Sequence, residues 1–301
     1  MKHSVLVTLS IVLLFLSAQL VGLWILSQDI SVTVTETGEY VVGYQDEWER
    51  PDVQGFGAVA YIMGAILAGT VLLLIIIKFR KRMLWKAWFF LAVWLTITLS
   101  LGVFLDEWAA LTVGLLLAFL KFSWRHILVH NLTEVFLYSG IAVLLVPLLE
   151  LKWAALLLLL IAVYDFIAVF KSKHMVTMAK FQTTANVFAG LSIPYSKASG
   201  TPVMGTLQPV ESESEETVKS AVLGGGDIAF PLIFSGSVMQ NLAQRGIAVG
   251  TAFSYTLILS LFAGAALLGL LLYGKKDKFY PAMPVLGAGC FLGLLAVELL
   301  V

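Results

Sequence analysis

An all-α polytopic membrane protein with about nine transmembrane helices is the fold class this sequence predicts. Three observations carry that reading. The 301 residues are 59% hydrophobic and only 13% charged, with a mean hydropathy of +0.93. A soluble domain carries roughly 25% charged residues, so this chain lacks the polar surface to coat itself with water. Apolar runs near the ~20 residues needed to span a bilayer recur along it. Lys and Arg alternate between successive connections, in the pattern that marks cytoplasmic sides.

The runs cover residues 5–26, 56–77, 87–105, 109–122, 132–149, 153–170, 218–239, 247–273 and 282–301. The first follows Met1-Lys2-His3; its apolar core exceeds the roughly 7–15 residues of a signal-peptide core, so it reads as a retained helix. The fourth is short and reads as less tilted or partly interfacial. With the N-terminus inside, every Lys and Arg lies at an inner connection except Arg50, Lys152 and Arg245. The N-terminus is therefore expected in the cytoplasm and the C-terminus outside. The first outer loop, 27–55, is acidic, and its Ser31-Val32-Thr33-Val34-Thr35 alternation reads as a short strand.

Three parts follow: 1–171 as an N-terminal membrane part with six spans, 172–217 as a flexible cytoplasmic loop, and 218–301 as a C-terminal part with three spans. The loop is rich in Ser, Thr, Gly and Pro and carries Glu211, Glu213, Glu215 and Glu216, a linker composition. Lys+Arg and Asp+Glu both number 19, so net charge implies no nucleic-acid partner. The single cysteine, Cys290, can form no internal disulfide and reads as a small buried hydrophobe.

Two acids stand out. Asp165 lies inside the apolar run Ala-Val-Tyr-Asp-Phe-Ile-Ala-Val-Phe of the sixth span, and Asp227 follows Gly224-Gly225-Gly226 in the seventh. An ionisable group in hydrocarbon costs at least ~2.5–3.5 kcal/mol on insertion scales, so each needs a partner or a wet cavity. Helical rise from Lys171 puts Asp165 about 9 Å below the inner boundary, and from Lys219 puts Asp227 about 12 Å deep. Antiparallel neighbours thus bring both carboxylates to one level. Two such groups share a proton and titrate as a unit. One can then deprotonate a water while the other protonates a carbonyl oxygen, with no metal and no cofactor. The same pair would serve a proton- or cation-coupled transporter, the alternative that bare sequence physics leaves standing.

The glycines permit close helix approach or departure from helical geometry. Pro281-Ala282-Met283-Pro284, opening the ninth span, removes two amide donors and marks broken backbone at membrane depth. Tyr164-Asp165, Gly224-x-Gly226-Asp227 and Pro281-Ala282-Met283 together resemble the three motifs of the presenilin / signal peptide peptidase family, the GxGD intramembrane aspartyl proteases. Span count, motif order and the long loop between the sixth and seventh spans extend the likeness over nearly the whole chain. The resemblance implies that Asp165 and Asp227 are catalytic. It implies that Tyr164, Gly224, Gly225, Gly226, Pro281, Ala282, Met283 and Pro284 shape the site or bind substrate. Gly225 and Met283 depart from the family's usual leucines; Met nearly conserves volume, while Gly225 removes a side chain that substrate could touch.

Within the family, presenilins have the inside N-terminus expected here, and the compact loop points to a microbial homologue in the cell membrane. Implied partners are transmembrane-helix substrates and the lipid bilayer. A homo-oligomer or accessory subunits are left open by the resemblance.

Other signals read as incidental. His126 and His130 have metalloprotease spacing but lack the glutamate of H-E-x-x-H, and read as a surface pair. Ser235-Gly236-Ser237 reads as helix packing, Val42-Gly43-Tyr44 as a chance echo of a potassium filter. The sequon Asn131-Leu132-Thr133 falls inside, where it would carry no glycan. Glu134 and Glu298 lie near span ends and are expected to reach headgroups.

Overall fold

The structure is a computed structural model that describes residues 4–45, 48, 50–124, 126–171, 178, 181–182, 188–196, 218–274 and 280–301. Among them are nine α-helices and two antiparallel hairpins. The helices are α1 (Val5–Asp29), α2 (Phe56–Lys78), α3 (Arg82–Gly102), α4 (Glu107–Ser123), α5 (Ile127–Leu145), α6 (Leu151–Phe170), α7 (Gly225–Gln244), α8 (Val249–Tyr273) and α9 (Met283–Glu298). A 3-10 turn, Val146–Leu148, extends α5. Strands β1 (Ile30–Val34) and β2 (Tyr40–Tyr44) pair after α1, and β3 (Gly190–Ser196) pairs with β4 (Val218–Gly224) before α7.

Six of the helices, α1, α2, α3, α5 with its extension, α6 and α8, are long and apolar enough to cross a membrane. The chain is a mostly helical, multi-pass integral membrane protein. Helix α4 has 17 residues and α9 has 16, at the lower limit of what spans a bilayer. Helix α7 is interrupted in composition by Pro231, Ser235, Ser237 and Gln240. Caps start helices where polar side chains take up orphan amides: the Ser4 hydroxyl accepts from Val7 N–H at 3.3 Å and the Asp106 carboxylate from Ala109 N–H at 3.2 Å.

Helix α7 forms the centre, touching α1, α5, α6, α8 and α9. Its Leu232 and Phe234 are buried with Phe15 and Leu26 of α1. Phe234 meets Phe291 of α9 edge to face at 5.4 Å. Gly236 allows close packing: a Cβ there would lie 2.7 Å from Val146 and 2.8 Å from Leu26. Ser235-Gly236-Ser237 is thus a packing feature, and Cys290 is buried, both as the sequence predicts.

Two expectations need correction. The run 218–239 is not one helix. Its first residues, Val218–Gly224, are strand β4, and the helix begins at Gly225, so a helical rise counted from Lys219 does not measure the depth of Asp227. Nor is 172–217 all linker, because Gly190–Ser196 is strand β3; the acidic run 211–216 lies outside the described residues. The segment 27–55 does contain the expected strand, β1, paired Ile30↔Tyr44 through Val34↔Tyr40. Val42-Gly43-Tyr44 is part of its partner.

Candidate active site

Two elements meet at Asp165. It lies on α6 one turn before the helix ends and is buried. Its Oδ2 accepts from the Met283 amide at 3.1 Å, and the Ala282 amide also donates to it. These donors exist because Ala282 and Met283 open α9, where the first amides of a helix have no internal partner. Pro284 occupies the second helical position, where a missing N–H costs nothing. The Pro-Ala-Met segment thereby holds Asp165 through its backbone. Pro281 is buried beside it.

Asp227 stands in the first turn of α7 and is half-buried. Helices α6 and α7 pack together, and the two carboxylates interact electrostatically. The two acids therefore stand on helices in contact, Asp227 arriving from a strand–helix junction. A Cβ on Gly224 would sit 3.2 Å from the Asp227 Oδ2, so glycine there leaves the carboxylate its room. A Cβ on Gly225 would come within 2.8 Å of the Tyr138 hydroxyl. The space beside Gly225 is filled from α5 by Tyr138 of this chain itself. Gly226 is exposed. Tyr164 engages α2, its hydroxyl 2.9 Å from that of Thr70.

The hairpin that delivers Gly224 to Asp227 is fastened to α5. The Asn131 side chain donates to the Ser192 carbonyl at 2.9 Å and accepts from the Ser192 amide at 3.0 Å. Glu134 accepts from the Gly190 amide at 2.9 Å, and from the Tyr138 hydroxyl. Its other oxygen receives Lys121 of α4 at 2.7 Å. The His130 Nε2 lies 2.9 Å from the Gly190 carbonyl oxygen. Glu134 is wholly buried and His130 and Lys121 nearly so.

Glu134 therefore does not reach headgroups, and His130 belongs to no surface pair. The reason is that α5 begins at Ile127 and that β3 lies over its first turns. Asn131 is likewise enclosed. Glu298 pairs with Arg245 at 3.0 Å on the surface. The stripe His130, Glu134, Tyr138 at i, i+4, i+8 carries the signal of one polar helix face. A span starting at residue 132 hides that stripe.

A family model described as signal-peptide peptidase, presenilin aspartyl protease matches residues 21–301. Two solved structures of a presenilin family intramembrane aspartate protease have a similar fold. The one in space group C222 superposes with a TM-score of 0.60 at 19% identity, covering 98% of this chain and 99% of that chain. The one in P2 gives 0.58 at 19%, covering 97% and 98%. None of the curated proteins is a significant match. With a family match over nearly its whole length, a like fold and two acids meeting where α6 and α7 pack, this chain belongs to the signal-peptide peptidase and presenilin family of aspartyl proteases.

Proposed function

We propose that Asp165 and Asp227 are the catalytic pair of a GxGD-type intramembrane protease that hydrolyses peptide bonds within transmembrane helices of other membrane proteins. The observation that carries this is the meeting of the two acids at the α6–α7 contact, one of them pinned by the amides of the Pro-Ala-Met segment. Of two carboxyl groups in so poor a dielectric, one is ionised and one protonated. The ionised group takes a proton from water as the oxygen attacks the scissile carbonyl carbon, and the protonated group donates to the carbonyl oxygen. Collapse of the tetrahedral diol returns a proton to the departing amine, releasing two chain ends.

All nine helices cross the bilayer in this reading, with the N-terminus cytoplasmic and the C-terminus outside, as the Lys and Arg pattern requires. A helical substrate has its carbonyls hydrogen-bonded and must unwind before attack. We infer that it then pairs as a strand near β4 and Pro281–Pro284. Strand β4 pairs with β3 on one side only among the described residues, and Val222 on it is exposed.

The test is reconstitution of the pure protein in vesicles with a single-span peptide whose N-terminus lies outside. Fragments are expected from the native chain, and none above background from Asp165→Asn or Asp227→Asn. Normal cleavage by either variant would remove the pair from catalysis. Proton or cation flux without fragments would favour the transporter. Crosslinks from the peptide to the outer loops alone would defeat the strand-pairing step.

A further inference from the structure

We propose that Glu134 is a positioning residue for Asp227, acting through the β3–β4 hairpin; the inference rests on the protease reading above. A carboxylate buried at this depth is expensive unless every lone pair is used. Glu134 is fully buried and uses its two oxygens on three partners from three elements: the Lys121 ammonium of α4, the Tyr138 hydroxyl one turn along α5, and the Gly190 amide of β3. The last two lead toward the acid.

Gly190 is the residue paired with Gly224 across the hairpin, three positions before Asp227. Its φ of +151° and the collision a Cβ would make with the Leu223 carbonyl leave glycine as the only fit. The Gly225 amide donates to the Ala189 carbonyl at 3.3 Å, tying the start of α7 to the same strand. Tyr138, held by Glu134, fills the volume against Gly225. One carboxylate thus fixes the glycine turn from both sides, through the strand opposite Gly224 and through the ring against Gly225. Lys121 neutralises the charge that this requires.

The geometry matters because Asp165 is anchored elsewhere, on α6 and α9. The separation of the two acids depends on how the hairpin and the start of α7 sit relative to α6. The other α5 side chains that bond to the hairpin, Asn131 and His130, grip β3 alone.

The experiment compares the native protein with Glu134→Gln and Tyr138→Phe in three measurements. Hydrogen–deuterium exchange of the peptides covering 188–196 and 218–228 should quicken at least several-fold in Glu134→Gln, with the helices α1 and α8 unchanged. Steady-state cleavage of the single-span peptide should show kcat reduced on the order of 10- to 100-fold, as misplacement by about 1 Å produces, with KM moved far less. Binding of a hydroxyl-bearing peptidomimetic that bridges both acids should weaken by a similar factor. Tyr138→Phe, which keeps the ring and loses the hydroxyl, should give the same pattern at smaller size, and it preserves the test where Glu134→Gln does not fold. Unchanged exchange would overturn the docking role. Quickened exchange with native kcat and inhibitor affinity would overturn the positioning role. A native protein that cuts nothing is a different result, which sinks the protease reading itself.

Discussion

Helices α2 and α7 are both hydrophobic, yet their surroundings are opposite. Helix α2 is the most apolar of the six clear spans, and only Ala58, Val59, Ile62, Leu73 and Ile76 are buried. Helix α7 falls outside the clear spans, yet residues 231–240 are buried without a break, Ser235, Ser237 and Gln240 among them. In a bilayer, apolarity marks contact with lipid, and polar or small residues mark contact with protein. The helix that carries Asp227 is therefore the least conspicuous by hydropathy. Its hydroxyls and its proline are tolerated because five other helices surround it.

Glycine substitution sharpens that contrast most. Gly225→Leu, which installs the family's usual residue at the start of α7, is expected to lower activity by about a hundredfold and stability by about 1–3 kcal/mol. Its Cβ alone would stand 2.8 Å from the Tyr138 hydroxyl. Adding Tyr138→Ala should recover much of the stability, read by thermal unfolding in detergent, because it vacates the space that the leucine needs. Full native behaviour of the single variant would mean that Tyr138 does not fill the space. A smaller effect is expected from Gly236→Leu in the middle of α7, again about 1–3 kcal/mol of stability but without a direct effect on the acids. Gly64→Leu on α2, where a Cβ meets nothing within 4 Å, should cost nothing or stabilise by up to about 1 kcal/mol. Equal losses at Gly236 and Gly64 would break the comparison between the two helices.

The same physics explains what the sequence revealed and what it hid. Asp165 and Asp227 were legible because a carboxylate among hydrocarbon side chains demands an explanation. Their places on consecutive antiparallel spans made them neighbours. Hairpin β3–β4 was not, although Leu191, Ile193 and Tyr195 alternate with Ser192, Pro194 and Ser196. That short period-2 pattern sits in a segment whose composition reads as linker, and Val218–Gly224 merges into an apolar run that helical length criteria absorb. Glu134 was misplaced for a related reason. A run counted from Leu132 leaves it at an interface, whereas the chain enters α5 at Ile127 and covers that end with a strand. Hydropathy sees the lipid-facing sides of helices; it does not see a polar stripe that another part of the same chain will cover.

The smallest expected effect tests how loosely α2 is held. A hydrogen bond between Tyr164 and Thr70, at 2.9 Å, links α6 to α2, alongside the edge-to-face contact of Phe56 with Trp153 at 6.0 Å. Thr70 also donates to its own helix at Ile66, so its hydroxyl keeps a partner when the tyrosine oxygen is removed. Interhelical bonds of this kind average about 0.6 kcal/mol in membranes, and a retained partner pulls the loss lower still. Tyr164→Phe is therefore expected to cost about 0.5 kcal/mol or less in a reversible unfolding titration, with the neighbouring Asp165 still held by the amides of Ala282 and Met283. Cleavage should persist in this variant. A large loss of cleavage with unchanged stability would mean that the tyrosine hydroxyl acts on substrate or on the acids, rather than fastening a helix that otherwise faces lipid.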